Sequence, residues 1–177
     1  MAMTLCETTA VGSHASSTTT EQVVGRYQDM VYAICVTHTQ NRPDADDCFQ
    51  EVFLAYHRKQ PVCHDEEHLK AWLIRTSLTI TRRVSSSSWR TRVRPMPEVD
   101  PPAEAFRFDQ EELDDLLAAL AGLGETYRSV IHLFYLEDMA VDQIADVLGI
   151  EPGAVKMRLS RGRTALREAM AKEDAHV

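Results

Sequence analysis

The stretch AVDQIADVLGIEPGAVKMRLSRGRTALREAMA, residues 140–171, decides the fold. Its apolar residues fall at helical spacing in two runs separated by a glycine. In the first run Ile144, Ala145 and Leu148 share a face, and Ala145 is small enough for a second helix to cross closely. Gly149 stands where the chain must turn, because glycine accepts the positive φ that a Cβ makes costly. Ile150 anchors the turn, and Pro152 suits the first turn of the next helix, where a missing amide hydrogen does no harm. In the second run Val155, Leu159 and Leu166 point inward, which leaves Lys156, Met157, Ser160, Arg161 and Arg163 outside, with Arg158 and Arg167 nearby. Two helices joined by a tight glycine turn, the second one basic, form a helix-turn-helix. A major groove admits one α-helix, whose outward side chains reach base edges while its cations neutralise phosphates. The plainer alternative is a solvated basic face on an ordinary helical hairpin; the agreement of turn geometry with charge favours the groove-binding reading.

Upstream of this motif, Val130, Ile131, Phe134 and Tyr135 mark a helix over residues 125–135, and residues 109–121 read as another. Further back, residues 94–110 hold Pro95, Pro97, Pro101 and Pro102 among several acids, the composition of an extended, semi-rigid linker. In the first half, Val23, Val24, Tyr27, Met30, Val31, Ile34, Cys35 and His38 repeat at three and four, which predicts an amphipathic helix from Gln22. Asn41-Arg42-Pro43-Asp44 breaks it. A second helix, Asp44 to about Lys59, gathers Cys48, Phe49, Val52 and Tyr56 on one side and leaves Asp46, Asp47, Gln50 and Glu51 largely on others. A third carries Leu69, Trp72, Leu73, Thr76, Ile80 and Val84 along one stripe, with Arg75, Arg82 and Arg83 beside it; Trp72, on that stripe, reads as core rather than as a base-stacking surface. Residues 1–20, rich in Thr, Ser and Ala, read as a disordered tail.

The formal net charge of −8 argues against nucleic acid until its distribution is considered. Residues 75–94 hold six Arg and no acid, residues 98–115 hold eight acids and one Arg, and residues 151–167 hold five Lys and Arg against Glu151. Opposite blocks on one chain imply two phosphate-facing surfaces joined by an acidic segment. No run of about 20 apolar residues is present, so direct membrane insertion is not expected. The first residues lack the positive start and apolar run of a secretion signal, so a cytoplasmic location is expected. There Cys6, Cys35, Cys48 and Cys63 are expected as reduced thiols.

The segment from Leu116, LLAALAGLGETYRSVIHLFYLEDMAVDQIADVLGIEPGAVKMRLSRGRTALRE, resembles region 4 of the extracytoplasmic-function (ECF) sigma factors of RNA polymerase. YQDMVYAICVTHTQNRPDADDCFQEVFLAYHR resembles their region 2, and HLKAWLIRTSLTITRR the helix that follows it. The likeness covers about residues 23–92 and 113–168, in order, with a linker where the family has one. It implies an all-α fold of two small helical domains joined by a flexible linker: a tail (1–20), a region 2 bundle (21–93), an acidic Pro-rich linker (94–110) and a region 4 helix-turn-helix (111–172).

It also implies partners and roles. Asp46, Asp47, Gln50, Glu51 and Phe53 would bind the β′ clamp of the polymerase core, with the β flap as a further core contact. Lys70, Arg75, Arg82 and Arg83 would serve the −10 element of promoter DNA. Gly153, Lys156, Met157, Arg158, Ser160, Arg161 and Arg163 would serve the −35 element. An anti-sigma factor would hold the protein inactive, and no enzymatic activity, cofactor or metal is implied. The chain departs from the family at Ala140 (usually a capping Ser or Thr), Ala154 and Met157 (usually Thr and Ser), Thr81 (often Asp) and Gly124 (usually Pro), which bears on promoter sequence more than on fold.

Two rival readings compete. An ordinary helix-turn-helix regulator explains residues 125–168 but not the acidic DADDCFQEVF segment. A metal site on Cys63, His64 and His68 has helical spacing for its two histidines but no evident fourth ligand and no paired base.

Overall fold

The structure, a computed structural model, describes residues 19–39, 41–86, 119–120 and 122–174. Among these, all regular structure is helical: α1 (Thr20–Thr39), α2 (Arg42–Lys59), α3 (Glu66–Ser86), α4 (Glu125–Tyr135), α5 (Val141–Leu148) and α6 (Pro152–Asp174). Ala119 and Leu120 are helical as well. The linker over 94–110, nearly all of the expected tail and most of the helix over 109–121 lie outside the described residues. No helix among the described residues is long and apolar enough to cross a membrane.

Local capping sets where the first three helices begin. Thr19 and Gln22 form a reciprocal box: the Thr19 amide donates to Gln22 Oε1 (3.0 Å) and the Gln22 amide to Thr19 Oγ1 (3.3 Å). The helix therefore starts at Thr20, earlier than periodicity alone indicates. Asn41 Oδ1 accepts from the Asp44 amide at 2.9 Å, so α2 opens at Arg42 with Pro43 in its first turn rather than at Asp44. Asp65 Oδ1 does the same for the His68 amide at 2.8 Å and starts α3. At the other end of α2, Gln60 takes a left-handed conformation (φ 38°) and its amide donates to Tyr56 O.

The three helices close on Val23, Val31, Cys35, Cys48, Val52 and Leu73, all wholly buried. Burial pushes the Cys35 thiol far up from its ordinary pKa, with Cys48 beside it adding to the rise. Trp72 is partly buried and meets Tyr56 edge to face, ring centres 6.0 Å apart. The second half packs α4, α5 and α6 around Leu120, Val130, Leu133, Ile144, Val155 and Leu159. Arg128 is buried there, Nε donating to Leu120 O (2.9 Å) and an Nη to Leu123 O (2.7 Å), so it closes the carbonyl end of the preceding segment.

The core of the second half is not confined to that half. It also contains Ile34 from α1 and Ile74 and Leu78 from α3, with Met30 and Ala71 against its edge. Besides the expected stripe, α3 thus carries a second one, Ala71, Ile74 and Leu78, which faces the other half of the molecule.

Candidate nucleic-acid interface

Gly149 has φ +64°, the left-handed conformation that the turn between α5 and α6 requires. Its amide donates to Ala145 O, and the Ile150 amide reaches the same carbonyl at 3.0 Å. Pro152 is the first residue of α6. Val155 and Leu159 are buried, Leu166 only partly so, and Ile144, Ala145 and also Val147 form the buried side of α5. At Gly162, a Cβ would sit 3.0 Å from Ile131 Cγ1, so α4 and α6 cross where only glycine fits without displacement.

With α6 held this way, Gly153, Lys156, Met157, Ser160, Arg161 and Arg163 are exposed and Arg158 is half-buried. Met157 is 49% exposed, an apolar side chain among cations. Arg163 Nε donates to Leu159 O at 3.3 Å, which lays its guanidinium along the helix.

On α2, Asp46, Asp47 and Gln50 are exposed and Glu51 is half-buried, joined to Arg83 of α3 by an ion pair. Phe53, expected on this face, is 6% exposed and belongs to the core of the first half, where its ring meets Phe49 edge to face at 5.0 Å. A partner protein cannot reach it. The apolar residue that the sequence reading missed is Leu54, 48% exposed. Its spacing from Asp47, Gln50 and Glu51 puts it on their side of the helix. The signal was available: three residues at i, i+3 and i+4 define a stripe whose next member is i+7.

The basic residues of α3 divide differently from expectation. Arg75 Nε and Nη2 donate to the carbonyls of Val147 and Asp146, both at 3.0 Å, at the C-terminal end of α5. Lys70 Nζ reaches Glu137 O at 3.4 Å and Glu137 Oε2 at 3.7 Å. Arg82 pairs with Glu125 at 2.7 Å. Three cations from the first half thus rest on atoms of the second.

Between α1 and α4, His38 Nε2 lies 3.1 Å from Ser129 Oγ, and His132 Nδ1 lies 3.1 Å from Thr37 Oγ1. All four residues are buried. Burial, then the neighbouring His132, pushes the His38 pKa down to about 3. His64 and His68 stack edge to face at 5.8 Å, and no cluster of three metal-binding side chains occurs among the described residues.

Comparison with known proteins follows the same division. The family model for sigma-70 region 2 matches residues 23–94 and that for sigma-70, region 4, matches residues 113–166. The ECF RNA polymerase sigma factor SigE of Mycolicibacterium smegmatis is 28% identical over 173 residues, 94% of this chain and 67% of its own length. The ECF sigma factor SigW of Bacillus subtilis is 26% identical over 162 residues, 84% of this chain and 87% of its own. Two solved structures share the fold, each with a TM-score of 0.64. CnrH in complex with the cytosolic domain of CnrY is 22% identical, over 86% of this chain and 88% of its own. RpoE in complex with the anti-sigma factor NepR from Bartonella quintana is 24% identical, over 85% and 96%.

Proposed function

The chain belongs to the sigma-70 family as an ECF sigma factor, and from that premise we propose how its parts divide the work of directing RNA polymerase core to promoters. Residues 21–93 act as the region 2 domain, residues 111–172 as the region 4 domain, and residues 94–110 as the tether between them. The face of α2 formed by Asp46, Asp47, Gln50, Glu51 and Leu54 binds the β′ clamp, acids ringing one apolar anchor. Region 4 meets the β flap. Lys70, Arg75, Arg82 and Arg83 serve the −10 element. Gly153, Lys156, Met157, Arg158, Ser160, Arg161 and Arg163 serve the −35 element, the amide of Gly153 near the start of α6 suiting a phosphate.

The observation that carries this reading is the outward row on α6, held by a positive-φ turn at Gly149 and a glycine crossing at Gly162. Complexes of CnrH with CnrY and of RpoE with NepR support a dedicated inhibitory partner for this chain too. The work takes place in the cytoplasm, where the polymerase meets the chromosome.

The test is run-off transcription with purified core polymerase on genomic DNA. Arg161→Ala is expected to weaken −35-dependent initiation and leave core capture intact. Asp47→Ala with Glu51→Ala is expected to do the reverse. Loss of one and the same function by both variants refutes the assignment.

A further inference from the structure

Among the described residues, Met157 is the one exposed apolar side chain of α6. Val155, Leu159 and Leu166 of the same helix pack into the core of the second half, and Met157 takes no part in it. Its exposed neighbours Lys156, Ser160, Arg161 and Arg163 are polar or cationic, and no acid occurs on α6 before Glu168. Helix propensity does not call for a methionine there, since Lys, Arg, Gln and Glu serve an exposed helical position equally well. Gly153 lies one turn before Met157 and Arg161 one turn after, so the three form a single row on the outward side. A Cβ at Gly153 would meet nothing within 4 Å, so packing does not demand glycine; the row begins with open space beside the methionine.

A thioether has no hydrogen to donate and accepts only weakly. The base edges in a major groove are hydrogen-bond donors and acceptors with one apolar exception, the C5 methyl of thymine. A methionine laid over any other edge strips water from polar atoms and returns no hydrogen bond, which costs binding energy. Over a thymine methyl it gains apolar contact, and its unbranched, flexible chain adapts to the shape it meets. We propose that Met157 is a specificity-determining residue that reads the C5 methyl of a thymine in the −35 element. The inference rests on the assignment of α6 to that element. Arg161, one turn further on, suits the O6 and N7 acceptors of a guanine, so the row joins an apolar reader to a bidentate one. Gly153 leaves the duplex room to approach both. Met157 thus selects by gain at one base and by loss at the other three.

Deoxyuridine isolates the methyl group, because it keeps the pairing and the O4 acceptor of thymidine and lacks only that carbon. Polymerase core loaded with the full chain is titrated against promoter duplexes found by run-off transcription, in which each thymidine of the −35 element, on either strand, is replaced in turn by deoxyuridine. At one position the wild-type holoenzyme is expected to bind about fourfold more weakly, the share of one buried methyl-sized group. Met157→Ser, at an exposed site, is expected to keep the thermal midpoint of the wild type and to bind the thymidine and deoxyuridine duplexes alike. The methyl effect and the methionine are thereby tied together in one double-substitution cycle. A wild-type holoenzyme indifferent to deoxyuridine at every −35 position overturns the proposal, as does a −35 element without thymine on either strand. A Met157→Ser holoenzyme that loses the same fourfold as the wild type overturns it as well, since another residue then meets the methyl. In each of these cases promoter-specific initiation persists and the assignment of α6 to the −35 element stands. Absence of run-off initiation by the wild type refutes that assignment instead, and the proposal with it.

Discussion

Ala140 holds the extended backbone of a helix N-cap (φ −66°, ψ 153°) but has no side-chain oxygen to offer. Gln143 Oε1 accepts from the Ala140 amide at 2.9 Å, so half of a capping box is present and the other half is missing. Ala140→Ser completes it at an exposed site. Stability is expected to rise by about 1 kcal/mol, read as a higher urea midpoint at unchanged slope. The adjacent residues Phe53 and Leu54 illustrate how one helical step separates two roles. Phe53→Ala empties a core position and is expected to cost about 3–5 kcal/mol of stability. Leu54→Ala is expected to leave the thermal midpoint nearly unchanged, within about 0.5 kcal/mol, yet weaken capture by polymerase core in a pull-down. Equal effects on both readouts would argue against the α2 face as a docking surface.

At the scale of elements, the helix-turn-helix depends on how closely α6 crosses α4. Gly162 has Ile131 Cγ1, Ile131 Cδ1 and Tyr127 Cβ within 3.4 Å of where a Cβ would stand. Alanine there gains helix propensity and meets only a movable side chain, so the two effects oppose each other. A branched side chain leaves no such balance. Gly162→Val is expected to destabilise the protein by about 1–3 kcal/mol through overpacking. Because the shift moves α6 against its turn, −35 duplex binding is expected to fall along with thermal stability, and gel-shift titrations of a folded sample check this. Arg128 contributes differently, as a buried cation on two carbonyls rather than a DNA contact. Arg128→Met keeps much of its volume but strands both acceptors, and the same thermal assay is expected to show a loss of a few kcal/mol.

At the scale of the whole molecule, the α1/α4 seam makes stability depend on pH. His38 faces Arg82 from α3 and Arg128 and His132 from α4, and burial is the largest influence on it. Folded, its pKa is about 3; unfolded, it returns to about 6.5. Above pH 6.5 both states are neutral at this site and it adds no pH dependence. As pH falls below 6.5, the unfolded chain takes up a proton that the folded one refuses, so stability declines by up to ~1.4 kcal/mol per unit towards pH 3. His132 Nε2 lies 3.6 Å from Glu137 Oε1. Urea unfolding at pH 7.5 and pH 5.5 is expected to differ by about 1 kcal/mol in the wild type and much less in His38→Gln. A wild-type profile flat over that interval would contradict the buried, neutral state of His38.

Much of this protein was written in local order along the chain. Helical periodicity, the Gly149 turn, Pro152 and the outward cations of α6 are properties of neighbouring residues, and they determined both the all-α class and the exposed basic face proposed for the −35 element. Capping fell within reach too, since Thr19-x-x-Gln22 and Asn41-x-x-Asp44 are short-range signals that periodicity overlooks. Only tertiary structure decided that Phe53 turns inward while Leu54 turns out, that α3 carries a second buried stripe at Ile74 and Leu78, and that Arg75 rests on Asp146 and Val147. The physical reason is that amphipathic spacing specifies one apolar face, whereas a helix held between two neighbours buries two, and the second is chosen by residues far away along the chain. His38 on the α1 stripe read as another core position; its bond to Ser129, 91 residues on, exists only because two halves with complementary surfaces meet.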